Sequence, residues 1–172
     1  MELRDALFAA LRLELAGELP RDGFFDGVDE AFLLSLYELA DRQEVAHLVG
    51  DALERLGVLA KFSDHTVEPY RRRTVVCAYF AEQQRQVFDE IRGAFDAASI
   101  PYLPLKGLVL RPLYPESWMR TAGDLDILVK PEDLKRAEEA LSKLHEEQRP
   151  NTHHEHCRET RIDHFLLLVI AI

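Results

Sequence analysis

Asp124 and Asp126 stand one residue apart at the head of the apolar run Leu125, Ile127, Leu128 and Val129. In an extended strand successive side chains alternate between faces, so both carboxylates emerge on one side while Leu125, Ile127 and Val129 take the other. Two like charges this close repel, and the pair is comfortable when protonated, solvated or bridged by a cation. Mg²⁺, with Mn²⁺ as a substitute, suits such a pair because it takes oxygen ligands and keeps room for water and phosphate. The plainer alternative is a turn at Gly123-Asp124 opening an ordinary strand whose first acids face water.

Upstream, residues 100–105 read as a strand leading into Lys106-Gly107 and then a helix over 108–113. Lys106 offers a point charge suited to phosphate, Gly107 permits close backbone approach, and a helix N-terminus favours an anion. A phosphate cradle ahead of a two-carboxylate metal site is equipment for nucleotidyl transfer.

The order K-G-x-x-L-x(3)-Y-P, then Arg, then G-D-L-D-I-L-V, then P-E-D-L-x-x-A, resembles the uncharacterised nucleotidyltransferase family of the polymerase-β-like superfamily. The residues that carry it are Lys106, Gly107, Leu110, Tyr114, Pro115, Arg120, Gly123, Asp124, Asp126 and Pro131, within residues 100–144. The resemblance implies a small mixed-sheet α/β nucleotidyltransferase core with helices around it, and Mg²⁺-dependent transfer of a nucleoside monophosphate from an NTP to a hydroxyl of an unidentified acceptor. It assigns Asp124 and Asp126 to metal and catalysis, and Lys106, Gly107, Arg120 and Gly123 to the nucleotide. A third carboxylate, with Asp163 as the candidate, completes the set as ligand and base. The rival is a catalytically inactive nucleotidyltransferase-like module that binds a nucleotide or a partner protein. A plain helical interaction protein would make the K-G and G-D-x-D spacing a coincidence.

The 172 residues, 47% apolar and 30% charged, suffice for a sizeable core. A net charge of −10 argues against broad nonspecific nucleic-acid binding. Two distant cysteines, Cys77 and Cys157, argue against a disulfide framework and point to a reducing cytoplasm. The first fifteen residues intersperse charges with apolar positions, unlike a signal peptide.

The elements that must position the site follow in chain order. Leu3, Leu7, Leu11 and Leu15 predict a first amphipathic helix, residues 17–27 a loop, and Asp29 the cap of a second helix, with two short helices between residues 29 and 56 joined near Asp41. A long helix follows the turn at Ser63-Asp64 and runs to about Ser99, with Pro69 as a start signal and the stripe Val76, Phe80, Val87, Ile91 and Phe95. Its Arg71-Arg72-Arg73 run reads as a solvated helix face, since no aromatic is interleaved to stack on bases. A strand over 125–130 and a helix over 132–144, with Pro131 at its first position, complete the core. Cys77 reads as a small core residue, and Trp118 as a lid over the core.

The expected fold is therefore α+β, with a mainly helical N-terminal region at 1–99 and the α/β core at 100–172. The histidine-rich stretch holding His153, His154, His156 and Cys157 reads as a solvated segment, with structural zinc as the alternative. The final run, 165–172, reads as a strand too short to span a bilayer. Uncovered, it would favour homo-oligomers, and the chain is expected to be truncated relative to the family.

Overall fold

The computed structural model describes residues 1–147 and 166–171. The chain is α+β: α1 (Leu3–Ala16), α2 (Glu30–Arg42), α3 (Ala46–Arg55), α4 (Asp64–Ala97), β1 (Tyr102–Pro104), α5 (Gly107–Leu110), β2 (Asp124–Val129), α6 (Leu134–Glu147) and β3 (Leu166–Ala171). Two compact units, Met1–Tyr79 and Phe80–Ile172, divide inside α4. Division at 99/100 follows the change from helix to sheet. The compact units divide earlier because Val87, Ile91 and Phe95 of α4 share a core with the sheet.

In the first unit, α1 buries Ala6, Leu7, Ala10 and Leu13. The expected stripe of every fourth leucine is corrected here: Leu15 is 49% exposed. At 3.6 residues per turn a four-residue repeat drifts by about 40° per step, so its far end rotates out of the core. The Phe32 N–H donates to Asp29 Oδ1 at 2.8 Å, capping α2 as the sequence predicts. The α2–α3 join lies just past Asp41, with Glu44 at φ 58°.

α4 starts at Asp64 and holds Pro69 in its interior, so Pro69 does not mark its start. The Ser63 carbonyl instead accepts the Thr66 and Val67 N–H groups and nucleates the first turn. Two of the three consecutive arginines pair with neighbouring helices, Arg71 with Glu54 at 2.9 Å and Arg73 with Asp41 at 3.4 Å. Cys77 is buried, which pushes its thiol up.

The second unit is built on a mixed sheet of order β1-β2-β3, with β1 antiparallel and β3 parallel to the central β2. Parallel neighbours need a crossover, and α6 lies in the stretch between them. Alternation along β2 sends Leu125, Ile127 and Val129 into a core with Val87, Ile91, Phe95, Ile100 and Ala137. Each such side chain contributes about 1.5–3 kcal/mol. β1 pairs over three residues, from Tyr102 opposite Val129 to Pro104 opposite Ile127, and is shorter than the expected 100–105. Pro101 and Pro104 have no N–H to donate to a ladder. Pro131 opens a 3₁₀ turn, Pro131–Asp133, before α6 begins at Leu134. Among the described residues no helix is long and apolar enough to cross a membrane.

Candidate functional site

The junction of β1 and α5 sets the geometry. The Leu105 N–H donates to the Asp126 carbonyl at 2.9 Å, carrying the β1–β2 pairing one residue past the strand. The chain then turns sharply at Lys106, with φ 44° and ψ −109°. That conformation costs an L-residue about 1–3 kcal/mol and must be held by its surroundings. Gly107 is required for space: a Cβ there would lie 2.8 Å from the Ala122 Cβ. The Lys106 carbonyl accepts the Val109 and Leu110 N–H groups at 3.2 and 2.9 Å.

The helix expected over 108–113 is corrected to one α-turn, α5, followed by a 3₁₀ turn, Arg111–Leu113. Pro112 explains the change, because it lacks an N–H and its ring clashes with the carbonyl four residues back. So short a helix brings little macrodipole to an anion.

Opposite this turn, Asp126 is 2% exposed and Asp124 is half-buried. Lys106 Nζ lies 2.7 Å from Asp126 Oδ2, an exposed ammonium against a buried carboxylate. Among the described residues Asp126 Oδ1 has no hydrogen-bond partner, and Oδ2 meets the Lys106 ammonium. The contact with Asp126, then the charges of Asp126 and Asp124, push the Lys106 ammonium above its ordinary value. Lys106 and the two acids therefore share one electrostatic site.

A second network braces the loop before β2. Gln84, fully buried on α4, donates from Nε2 to the Ala122 carbonyl at 2.8 Å. Buried Arg111 donates from Nη2 to Gln84 Oε1 and from Nε to the Arg120 carbonyl at 3.2 Å. Burial, and then the neighbouring Arg120 cation, push the Arg111 guanidinium down. Arg120 has a buried Nε with no hydrogen-bond partner among the described residues. Ala122 is the hub, its carbonyl held by Gln84 and its methyl against Gly107.

Sequence reasoning missed Gln84 and Arg111. Gln84 precedes Val87, Ile91 and Phe95 at helical spacing, so the stripe itself marked it as inward-facing. Arg111 gave the weaker signal of one cation inside the apolar run LVLRPL.

The structure brings Lys106, Asp124 and Asp126 together, and it links Gly107 to the Arg120–Gly123 loop through Ala122. Gly123 is exposed, with open space where a Cβ would stand. Asp163 and the histidine-rich stretch with Cys157 lie outside the described residues. Among the described residues no third His, Cys, Asp or Glu joins the two acids. A buried carboxylate with one oxygen lacking a partner among the described residues, beside a second acid, fits a hard divalent cation such as Mg²⁺. Trp118 is half-buried in the 3₁₀ turn Ser117–Met119.

No curated protein and no solved structure matches the chain. A family model does, over residues 33–164, a span that contains every candidate site residue from Gln84 to Asp163. The chain belongs to the uncharacterised nucleotidyltransferase family, a membership that indicates nucleotidyl transfer at the general level.

Proposed function

We propose that the protein transfers a nucleoside monophosphate from an NTP to a hydroxyl of an acceptor, using Mg²⁺, for which Mn²⁺ can substitute. The observation that carries this reading is buried Asp126 beside Asp124 on β2, its Oδ1 without a hydrogen-bond partner among the described residues and its Oδ2 against the exposed Lys106 ammonium. Asp124 and Asp126 would hold the cation. When bound, it supplies Lewis-acid stabilisation of the charge that develops on the phosphoryl oxygens.

Lys106, with the Gly107 backbone, faces the β- and γ-phosphates, and Arg120 and Gly123 complete the nucleotide contacts. In the transfer the acceptor oxygen forms a bond to the α-phosphorus, the bridging bond to the β-phosphate breaks, and pyrophosphate leaves. The acceptor proton passes to a base, for which Asp163 is the candidate. Positioning and electrostatics dominate such chemistry, so two fixed acids and a fixed cation are its main requirements.

One observation favours a second reading, a nucleotide-binding module without turnover. Among the described residues the two acids have no third carboxylate. Calorimetry with NTP and Mg²⁺ tests the site itself: wild type gives a saturable heat, and Asp124→Ala/Asp126→Ala loses it. Unchanged binding in the double variant would sink the assignment. Release of pyrophosphate, abolished in the same variant, separates transfer from binding alone.

A further inference from the structure

The Lys106–Asp126 pair has an asymmetry that the nucleotidyl-transfer reading does not require. The carboxylate side chain is 1% exposed, whereas the lysine side chain is 66% exposed. A buried carboxylate without a counter-charge is costly, so the ammonium neutralises it. Yet the lysine lies in solvent over most of its length, so its head can leave without unpacking anything. The strained Lys106 backbone fixes only where that side chain starts.

Arg111 spends its donors on Gln84 and the Arg120 carbonyl. Among the described residues Lys106 is the cation in ion-pair contact with Asp126. A divalent cation on Asp126 would meet that ammonium within contact distance, and two positive charges that close repel.

We infer that Lys106 is a built-in counter-cation that competes with the divalent ion for Asp126, so that metal is admitted when a polyphosphate draws the ammonium away. The inference rests on the nucleotidyl-transfer reading and adds a coupling to it. Without nucleotide, Asp124 and Asp126 share one lysine charge, and the bare metal binds weakly. With the triphosphate present, the same ammonium shifts to phosphate oxygen and leaves Asp126 to the metal. Coupling between two ligands at one site is typically about 5–150-fold and is reciprocal.

The test is titration of Mn²⁺ alone, without nucleotide, followed by electron paramagnetic resonance of the free ion, on wild type, Lys106→Met, Lys106→Gly and Asp126→Asn. Glycine suits the positive φ at position 106 and keeps the fold while removing the ammonium. Removing the ammonium is expected to tighten Mn²⁺ by about tenfold in both Lys106 variants, and Asp126→Asn to lose it. If Lys106→Gly binds Mn²⁺ no more tightly than wild type while Asp126→Asn loses it, the competition is overturned and the metal site stands. If Asp126→Asn binds Mn²⁺ as wild type does, the site reading falls and the competition with it.

Discussion

An alanine at position 107 would drive its methyl to 2.8 Å from that of Ala122, whose carbonyl is fixed by buried Gln84. Neither neighbour is the free end of a flexible side chain, so the strain must move the turn or the loop before β2. Gly107→Ala is expected to cost about 1–3 kcal/mol in urea unfolding and to weaken NTP binding. Gly123→Ala, with open space at its Cβ, serves as the comparison and should unfold close to wild type. Equal stability of the two variants would contradict the packing argument. At this scale the spacing singles out Lys106, Gly107, Asp124 and Asp126 as candidates. The 2.7 Å pairing of Lys106 with Asp126 was not, because it depends on the register of β1 against β2, a long-range relation that local pattern does not encode.

Between elements, the first unit carries its own titratable tie. Glu14 of α1 is 3% exposed, and Arg55 of α3 donates to its Oε1 at 2.9 Å. Burial first, and the Asp51 charge next, raise the Glu14 carboxyl above its ordinary 4.5, against the lowering effect of Arg55. Between the ordinary and the raised value the folded protein keeps a proton that the unfolded chain has lost. Stability from this group is therefore greatest at the acid end and falls as pH rises through that window. Urea unfolding of wild type and Glu14→Gln from pH 4.5 upward should reveal a falling component in wild type that the variant lacks. Parallel profiles would refute it. The sequence predicts α1 and, through Leu3, Leu7 and Leu11, its core-facing side; Leu15 rotates out at 3.6 residues per turn, and Glu14, expected between the apolar positions, is buried. It predicted β2 and its buried face correctly, since strict alternation leaves one register that hides Leu125, Ile127 and Val129. The helix after Gly107 ends sooner than its apolar pattern predicts, because Pro112 breaks it.

For the whole molecule, net charge −10 and the two-acid site pull in the same direction: an acidic protein attracts free phosphates poorly and needs fixed cations to hold them. On the proposed reading Lys106 and Arg120 would supply those cations, and the family match over residues 33–164 spans both. The α+β class was legible from alternating periodicities. The division of compact units at Tyr79/Phe80 was not, because α4 runs through it without a break in helical pattern. The most direct measurement is anomalous diffraction from crystals soaked with NTP and Mn²⁺. A manganese peak in coordination contact with carboxylate oxygens of both Asp124 and Asp126, with Lys106 turned from Asp126 to phosphate, is the predicted result. Manganese elsewhere, or a crystal with nucleotide bound and the Lys106–Asp126 pair intact, would contradict it.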